Sequence, residues 1–148
     1  MSNPNLRTIL LVEDSLPDAE MAMDALGAAN LANPVVHVED GVECLDWMER
    51  RGRHADRPAG DPAVILLDIK MPRMDGLEVL THLRTQEKWK RVPVVILSSS
   101  REESDLARSW DLGVNAYVLK PVDVAQFFTA VQTLGHFWAV LNQRPESE

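Results

Sequence analysis

Cysteine occurs once, at Cys44, which excludes an internal disulfide and a cysteine-built metal cluster and agrees with an inert buried thiol in a reducing compartment. Long apolar runs are missing too. No stretch approaches the roughly 18 residues that a membrane helix requires, and the opening MSNPNLRT lacks the charged start, apolar stretch and small-residue cleavage site of a secretory leader. No membrane span is expected, and the expected location is cytoplasmic. Basic charge is scarce: 15 Lys and Arg against 23 Asp and Glu give a net charge of −8, which repels nucleic acid unless cations cluster. The one such cluster, Arg50, Arg51 and Arg53, reads as a solvated helix end near the negative pole of the helix dipole. No glycine-rich phosphate loop follows any apolar run, which argues against a nucleotide-binding protein.

What is present is a repeating pattern. At 148 residues the chain has the length of one domain and can bury most of its unfolded surface around a single core. Five short apolar runs recur, at Ile9 to Val12, Val35 to Val38, Val64 to Leu67, Val94 to Leu97 and Ala116 to Leu119. Most are continuous rather than alternating, which suits strands buried on both faces of a parallel sheet. Segments with helical spacing lie between them. The first opens with Ser15 as N-cap, Pro17 in the first turn and Asp18 three residues after the cap, and sets Ala19, Ala22, Met23 and Leu26 on one face. Three more helices are predicted at about residues 41–50, 75–86 and 102–112, and a last one after Asp123 shows Val124, Phe127, Phe128, Val131 and Leu134 at three-and-four spacing.

Right-handed crossovers turn this order, βα five times over, into an α/β fold with a doubly wound five-stranded parallel sheet. The polar segment 51–62, rich in Gly and Pro, reads as a long surface loop. One domain over residues 1–148 is expected, with its core at about 7–141 and a polar tail at 142–148 that leaves no room for an output domain.

In open α/β sheets the ligand site lies beyond the carboxyl ends of the strands. The first run ends in Glu13 and Asp14, the third in Asp68, the fourth in Ser98 and the fifth in Lys120 and Pro121. Neighbouring strands are roughly 5 Å apart, so three carboxylates, a hydroxyl and an ammonium converge. Carboxylates this close call for a proton or a cation, and Mg2+ characteristically combines one or two carboxylates with waters and phosphate oxygens. Aspartate can act as nucleophile toward a phosphoryl group, with a metal and a cation neutralising the transferred charge. Asp68 as acceptor, Asp14 as direct metal ligand, Glu13 as a ligand through water, Lys120 on a phosphoryl oxygen and Ser98 on another fill those roles.

The stretches ILLVEDS, LLDIKMPRMDGLEVL, VPVVILSSS and LGVNAYVLKPVD resemble a response regulator receiver domain over residues 7–141, with Asp68, Met71, Pro72, Met74, Asp75 and Gly76 at the family's spacing. That resemblance implies the CheY-like, flavodoxin-like (βα)5 fold with strand order 2-1-3-4-5. It implies that the metal also takes the backbone carbonyl of Lys70, and that a phosphohistidine on a sensor histidine kinase is the phosphoryl donor. It further implies a switch in which Ser98 moves toward the phosphate as Tyr117 changes rotamer, and a cis-proline turn at Pro121. Two positions depart from the pattern: Ser98 stands where threonine is commoner, and Ser99 where alanine or glycine is frequent.

The loop at 51–62, SWDLGVNAYVLKPVD and the late HFWAVL resemble, more narrowly, the single-domain regulators that serve bacterial phytochromes, with orphan receivers of other histidine kinases as the alternative. Trp110, Phe127, Phe137 and Trp138 concentrate aromatics on the last two helices, as partner-binding surfaces do, and a homodimer through the fourth helix, fifth strand and fifth helix is expected. The histidines His37, His54, His82 and His136 are scattered and read as ordinary residues. An aspartate-nucleophile phosphohydrolase is the rival enzyme class, but its D-x-D pattern needs a second aspartate where this chain has Lys70, so a turnover enzyme is not expected. A receiver-fold interaction module that takes no phosphate is the other alternative, against which Asp14, Asp68 and Lys120 speak.

Overall fold

The computed structural model describes residues 7–28, 31–99, 103–120, 123, 125–126 and 129, without the side chains at 103, 104 and 107. Its elements alternate in chain order: β1 (Ile9–Val12), α1 (Leu16–Ala28), β2 (Val35–Val38), α2 (Gly41–Glu49), β3 (Val64–Asp68), α3 (Gly76–Thr85), β4 (Val94–Ser98), α4 (Glu103–Asp111) and β5 (Ala116–Leu119). All five apolar runs are strands, and the three middle helices start and stop within a residue of the predicted bounds. Local signals explain that agreement. Asp40 caps α2 by accepting from Glu43 N, and Asp75 caps α3 in a reciprocal capping box with Glu78. Ser15 Oγ accepts from Asp18 N at 3.4 Å ahead of α1.

The strands form one parallel sheet in the order β2-β1-β3-β4-β5. Every residue of β1, β3 and β4 is buried, because helices cover both faces. Successive side chains point to opposite sides and build two cores. Ile9, Leu11, Val64, Leu66, Val95 and Leu97 join the buried face of α1. Leu10, Val12, Ile65, Leu67 and Ile96 pack with Cys44, Leu45, Val79, Leu80 and Leu83 of α2 and α3. Burying one such side chain contributes about 1.5–3 kcal/mol.

Three expectations need correction or fall outside. Met23 is 43% exposed rather than core, and Ala25 is buried instead. The apolar face of α1 turns toward Ala22 and Ala25, where small side chains let the helix lie close to the sheet, and the long Met23 falls at its margin. Asp123 Oδ1 accepts from Gln126 N at 2.8 Å, and Ala125, Gln126 and Thr129 are helical. The rest of the predicted last helix, with Pro121, Phe127, Phe128, Val131, Leu134, His136, Phe137, Trp138 and the tail, lies outside the described residues.

The segment after α2 is also more structured than an open loop. Arg50 ends the helix in left-handed conformation (φ 60°), and a short 3-10 helix follows at Gly52–His54. Arg57 then folds back over the Trp47 ring, 3.6 Å from its centroid, and donates to the Trp47 carbonyl at 2.6 Å and the Met48 carbonyl at 3.4 Å. Both carbonyls belong to the last turn of the helix, where regular partners run out, and that of Trp47 also accepts from the Arg50 N–H at 3.2 Å. Arg57→Ala is therefore expected to cost about 1–2 kcal/mol, read as a lower urea midpoint with an unchanged slope. An unchanged midpoint would show that Arg57 does not anchor this segment.

Candidate functional site

Parallel register brings the strand ends together. Leu11 and Val12 pair with Leu66 and Leu67, and Asp68 pairs with Leu97. Glu13 and Asp14 therefore lie beside Asp68, while Ser98 falls one residue past Asp68's partner on β4. Lys120 follows β5 directly, and its N–H donates to the Ser98 carbonyl at 2.9 Å. Carboxylate oxygens of Glu13, Asp14 and Asp68 lie within 4.8 Å of one another. Glu13 and Asp68 are buried and Asp14 is exposed, so the trio opens to solvent on one side. Hard oxygen donors in this number fit a hard divalent cation that keeps waters on its open face. Lys70 lies two residues after Asp68 and turns outward, with its side chain 63% exposed and its Nζ 3.6 Å from Asp105 Oδ2.

The ammonium of Lys120 lies 2.5 Å from Glu13 Oε1, 2.9 Å from Asp18 Oδ2 and 3.4 Å from Asp68 Oδ2. Burial alone would favour its neutral form. Hydrogen bonds to Glu13 and Asp18 and the charge of Asp68 overcome that, and its pKa is held above the usual lysine value. Asp68 moves the other way from an ordinary salt-bridged aspartate. Burial first, and then the neighbouring Glu13 charge, push its pKa up from 3.8 to about 7, against the opposing pull of Lys120. Without a metal, two buried carboxylates and one ammonium leave Asp68 the natural holder of a proton. Cys44 lies fully buried on the inner face of α2, where burial and the nearby Asp40 and Glu43 push its thiol up to about 12, as expected of an inert cysteine.

The loop after Asp68 is held by backbone geometry. A Cβ on Gly76 would run into the Asp68 carbonyl, and one on Gly41 into the Met74 carbonyl. Arg73 adopts φ 65°, a left-handed conformation that disfavours a side chain. Its guanidinium offsets this with a two-pronged bond to Asp40, at 2.8 Å from Nε and 2.9 Å from Nη2.

Of the residues singled out in the sequence, Glu13, Asp14, Asp68, Ser98, Lys70 and Lys120 all collect at this edge. Tyr117 is half-buried on β5, packed against the α2–α3 side core. It also lines a cavity of about 550 Å3 with Trp110, Ala125 and Thr129. Trp110 is 53% exposed. Three contacts were not anticipated. Asp18 reaches Lys120, a contact hinted at only by its place four residues after Asp14 in a first helical turn. His37, taken as an ordinary residue, sits 2.7 Å from the Glu13 carbonyl. His54, read as isolated, pairs with Glu43 at 2.9 Å; of the basic cluster, Arg53 shares that carboxylate, Arg51 pairs with Asp46 and Arg50 donates to the Arg57 carbonyl. No periodicity marks either histidine contact.

A lysine and three carboxylates at the carboxyl edge of a 2-1-3-4-5 parallel sheet define the class: a CheY-like, flavodoxin-like α/β domain with an acidic pocket that could hold a cation. The chain belongs to the response regulator receiver domain family, which it matches over residues 9–132, and it is thereby a component of two-component phosphorelay signalling. It is 34% identical to response regulator Rcp1 of Synechocystis sp. (strain ATCC 27184 / PCC 6803 / Kazusa), over 93% of this chain and 91% of that one. The bacteriophytochrome response regulator AtBRR superposes with a TM-score of 0.84 at 54% identity, over 95% of this chain and all 100% of that one. RtBRR, another bacteriophytochrome response regulator, gives 0.86 at 50% identity, over 95% and 85%. The Mn2+-bound form of Rcp1 gives 0.74 at 33% identity, over 89% and 94%. Among the described residues no helix is long and apolar enough to cross a membrane.

Proposed function

We propose that Asp68 accepts a phosphoryl group from a phosphohistidine of a sensor histidine kinase, a bacteriophytochrome in the first instance, with Mg2+ as the physiological cation. The supporting observation is the buried Asp68 carboxylate held between an ammonium and a second buried carboxylate at a mouth open to solvent. Asp14 and Asp68 would bind the cation directly, Glu13 through water, and the Lys70 carbonyl would complete the protein's share. When bound, Mg2+ supplies charge neutralisation for the transferred phosphoryl oxygens. Asp68 attacks phosphorus with one carboxylate oxygen, the bond to the histidine nitrogen breaks, and the aspartyl phosphate forms. Lys120 pairs with one phosphoryl oxygen and the Ser98 hydroxyl donates to another. The Mn2+-bound relative and the bacteriophytochrome regulators support this choice of cation class and partner. Intact-mass measurement after incubation with acetyl phosphate and Mg2+ tests the acceptor role. Purified phytochrome kinase, with and without red light, tests the donor.

The same reading makes the protein a reversible signalling site in the cytoplasm rather than a turnover enzyme. Lys70 occupies the place where a phosphohydrolase of this type carries its proton donor. Phosphorylation at Asp68 draws Ser98 inward, and Tyr117 follows into the space beside it. Its output surface is α4, β5 and the segment after them, where a homodimer forms. Exposed Trp110 beside the Tyr117 cavity supports this face. Trp110→Ala is expected to weaken self-association about 30-fold, the cost of losing a buried interface tryptophan, read by sedimentation. Wild-type protein that stays monomeric in both phosphorylation states, at concentrations on the order of tens of micromolar, rejects the dimer.

A further inference from the structure

We propose that Asp18 is a positioning residue that competes with the metal-binding carboxylates for the Lys120 ammonium and so eases the entry of a divalent cation to the acidic trio. This rests on the metal reading above and extends it to a residue outside the trio.

An ammonium offers three N–H donors, and Lys120 has three carboxylates around it, at 2.5 Å (Glu13), 2.9 Å (Asp18) and 3.4 Å (Asp68). Glu13 and Asp68 belong to the group whose oxygens crowd within 4.8 Å of each other. Each bond from Lys120 to either one occupies an oxygen that a cation would use, and places a positive charge beside the incoming metal. Asp18 is the only carboxylate contact of Lys120 among the described residues that costs the metal no ligand. Its position suits that task. It stands in the first turn of α1, where a carboxylate is favoured by the helix dipole, and its backbone N–H donates to Ser15 Oγ. The side chain is 38% exposed against 1% for Glu13 and 6% for Asp68, so Asp18 approaches the ammonium from the solvent side and competes there with the two buried carboxylates.

A bland alternative predicts a different pattern. If Asp18 acted only through its negative charge, its removal would weaken cation binding equally whether or not residue 120 is a lysine. The experiment is therefore a double-mutant cycle, by isothermal titration of Mg2+ alone into the full chain. Asp18→Asn is expected to weaken Mg2+ binding about 3- to 10-fold in the wild-type background and by less than about twofold in Lys120→Met. Lys120→Met alone binds Mg2+ more tightly than wild type, and Asp18→Glu retains most of the affinity. Should Asp18→Asn fold poorly, Asp18→Ser takes its place in the cycle. Equal effects in the two backgrounds, or no effect in wild type, overturn the role of Asp18 while leaving the metal site standing. Wild-type protein that binds no Mg2+ overturns both readings.

Discussion

Asp68→Asn protein incubated with acetyl phosphate and Mg2+ gains no phosphoryl mass, while wild type gains one equivalent. The amide keeps the shape of the carboxylate but is a poor nucleophile, and nothing else at this edge of the sheet replaces it. Asp14 is exposed, and Glu13 is engaged with Lys120 and with the backbone N–H of Ser15 at 3.1 Å. An undiminished mass gain would move the acceptor elsewhere and reject the central proposal. The same substitution has a second, independent readout. Because the folded pKa of Asp68 is raised from 3.8 to about 7, the folded protein holds more protons than the unfolded chain between those values. This contribution is fully present below the unfolded pKa and is lost as pH rises through the folded one. Metal-free wild type should thus lose stability between about pH 4 and 7, and Asp68→Asn should lose less. The full shift corresponds to about 4 kcal/mol. Lys120 loses a partner in the variant, so the expected gain at neutral pH is about 2 kcal/mol. Denaturation midpoints of the two proteins across that window, without metal, check it. Parallel pH profiles would show that Asp68 carries no such penalty.

Among the described glycines, Gly76→Ala is expected to be the most damaging substitution. Its Cβ would meet the Asp68 carbonyl and come within 2.9 Å of Ile69 Cα, and both are backbone atoms that cannot swing aside. The Gly76 N–H also donates to the Ile69 carbonyl at 2.8 Å, which locks the turn from β3 into α3. Relieving the overlap means moving the acceptor strand or the helix, at a cost of about 3 kcal/mol. For a domain of this size that lowers the melting temperature by about 10 °C. Phosphoryl uptake should fall in parallel, since the displaced backbone carries Asp68 itself. Calorimetry and the mass assay on the same sample test both, and a melting temperature within a degree or two of wild type would refute the close-packing argument.

The strands were legible because burial on both faces leaves little room for polar residues, so Val64 to Leu67 and Val94 to Leu97 announce themselves as unbroken apolar runs. Helix starts were legible where a cap is local: Asp40 and Asp75 each bond a backbone N–H three residues on. The face of α1 was harder to place. Met23 and Ala25 both fall near the margin of the apolar stripe, and only the sheet's proximity decides which is covered.

The site divides along the same line. Which residues stand at strand ends follows from the order of apolar runs, so Glu13, Asp14, Asp68, Ser98 and Lys120 could be named from the chain alone, with the chemistry that three carboxylates and an ammonium share. The partner of Lys120 on α1, 102 residues away, could not. Nor could the Arg73–Asp40 bond across 33 residues, or the rise in the Asp68 pKa. Each of these depends on distances between segments remote in sequence and on how much water their packing excludes. Strand order and residue type are written locally in the chain, whereas burial, charge coupling and the choice of ion-pair partner arise only when the sheet and helices close around one another.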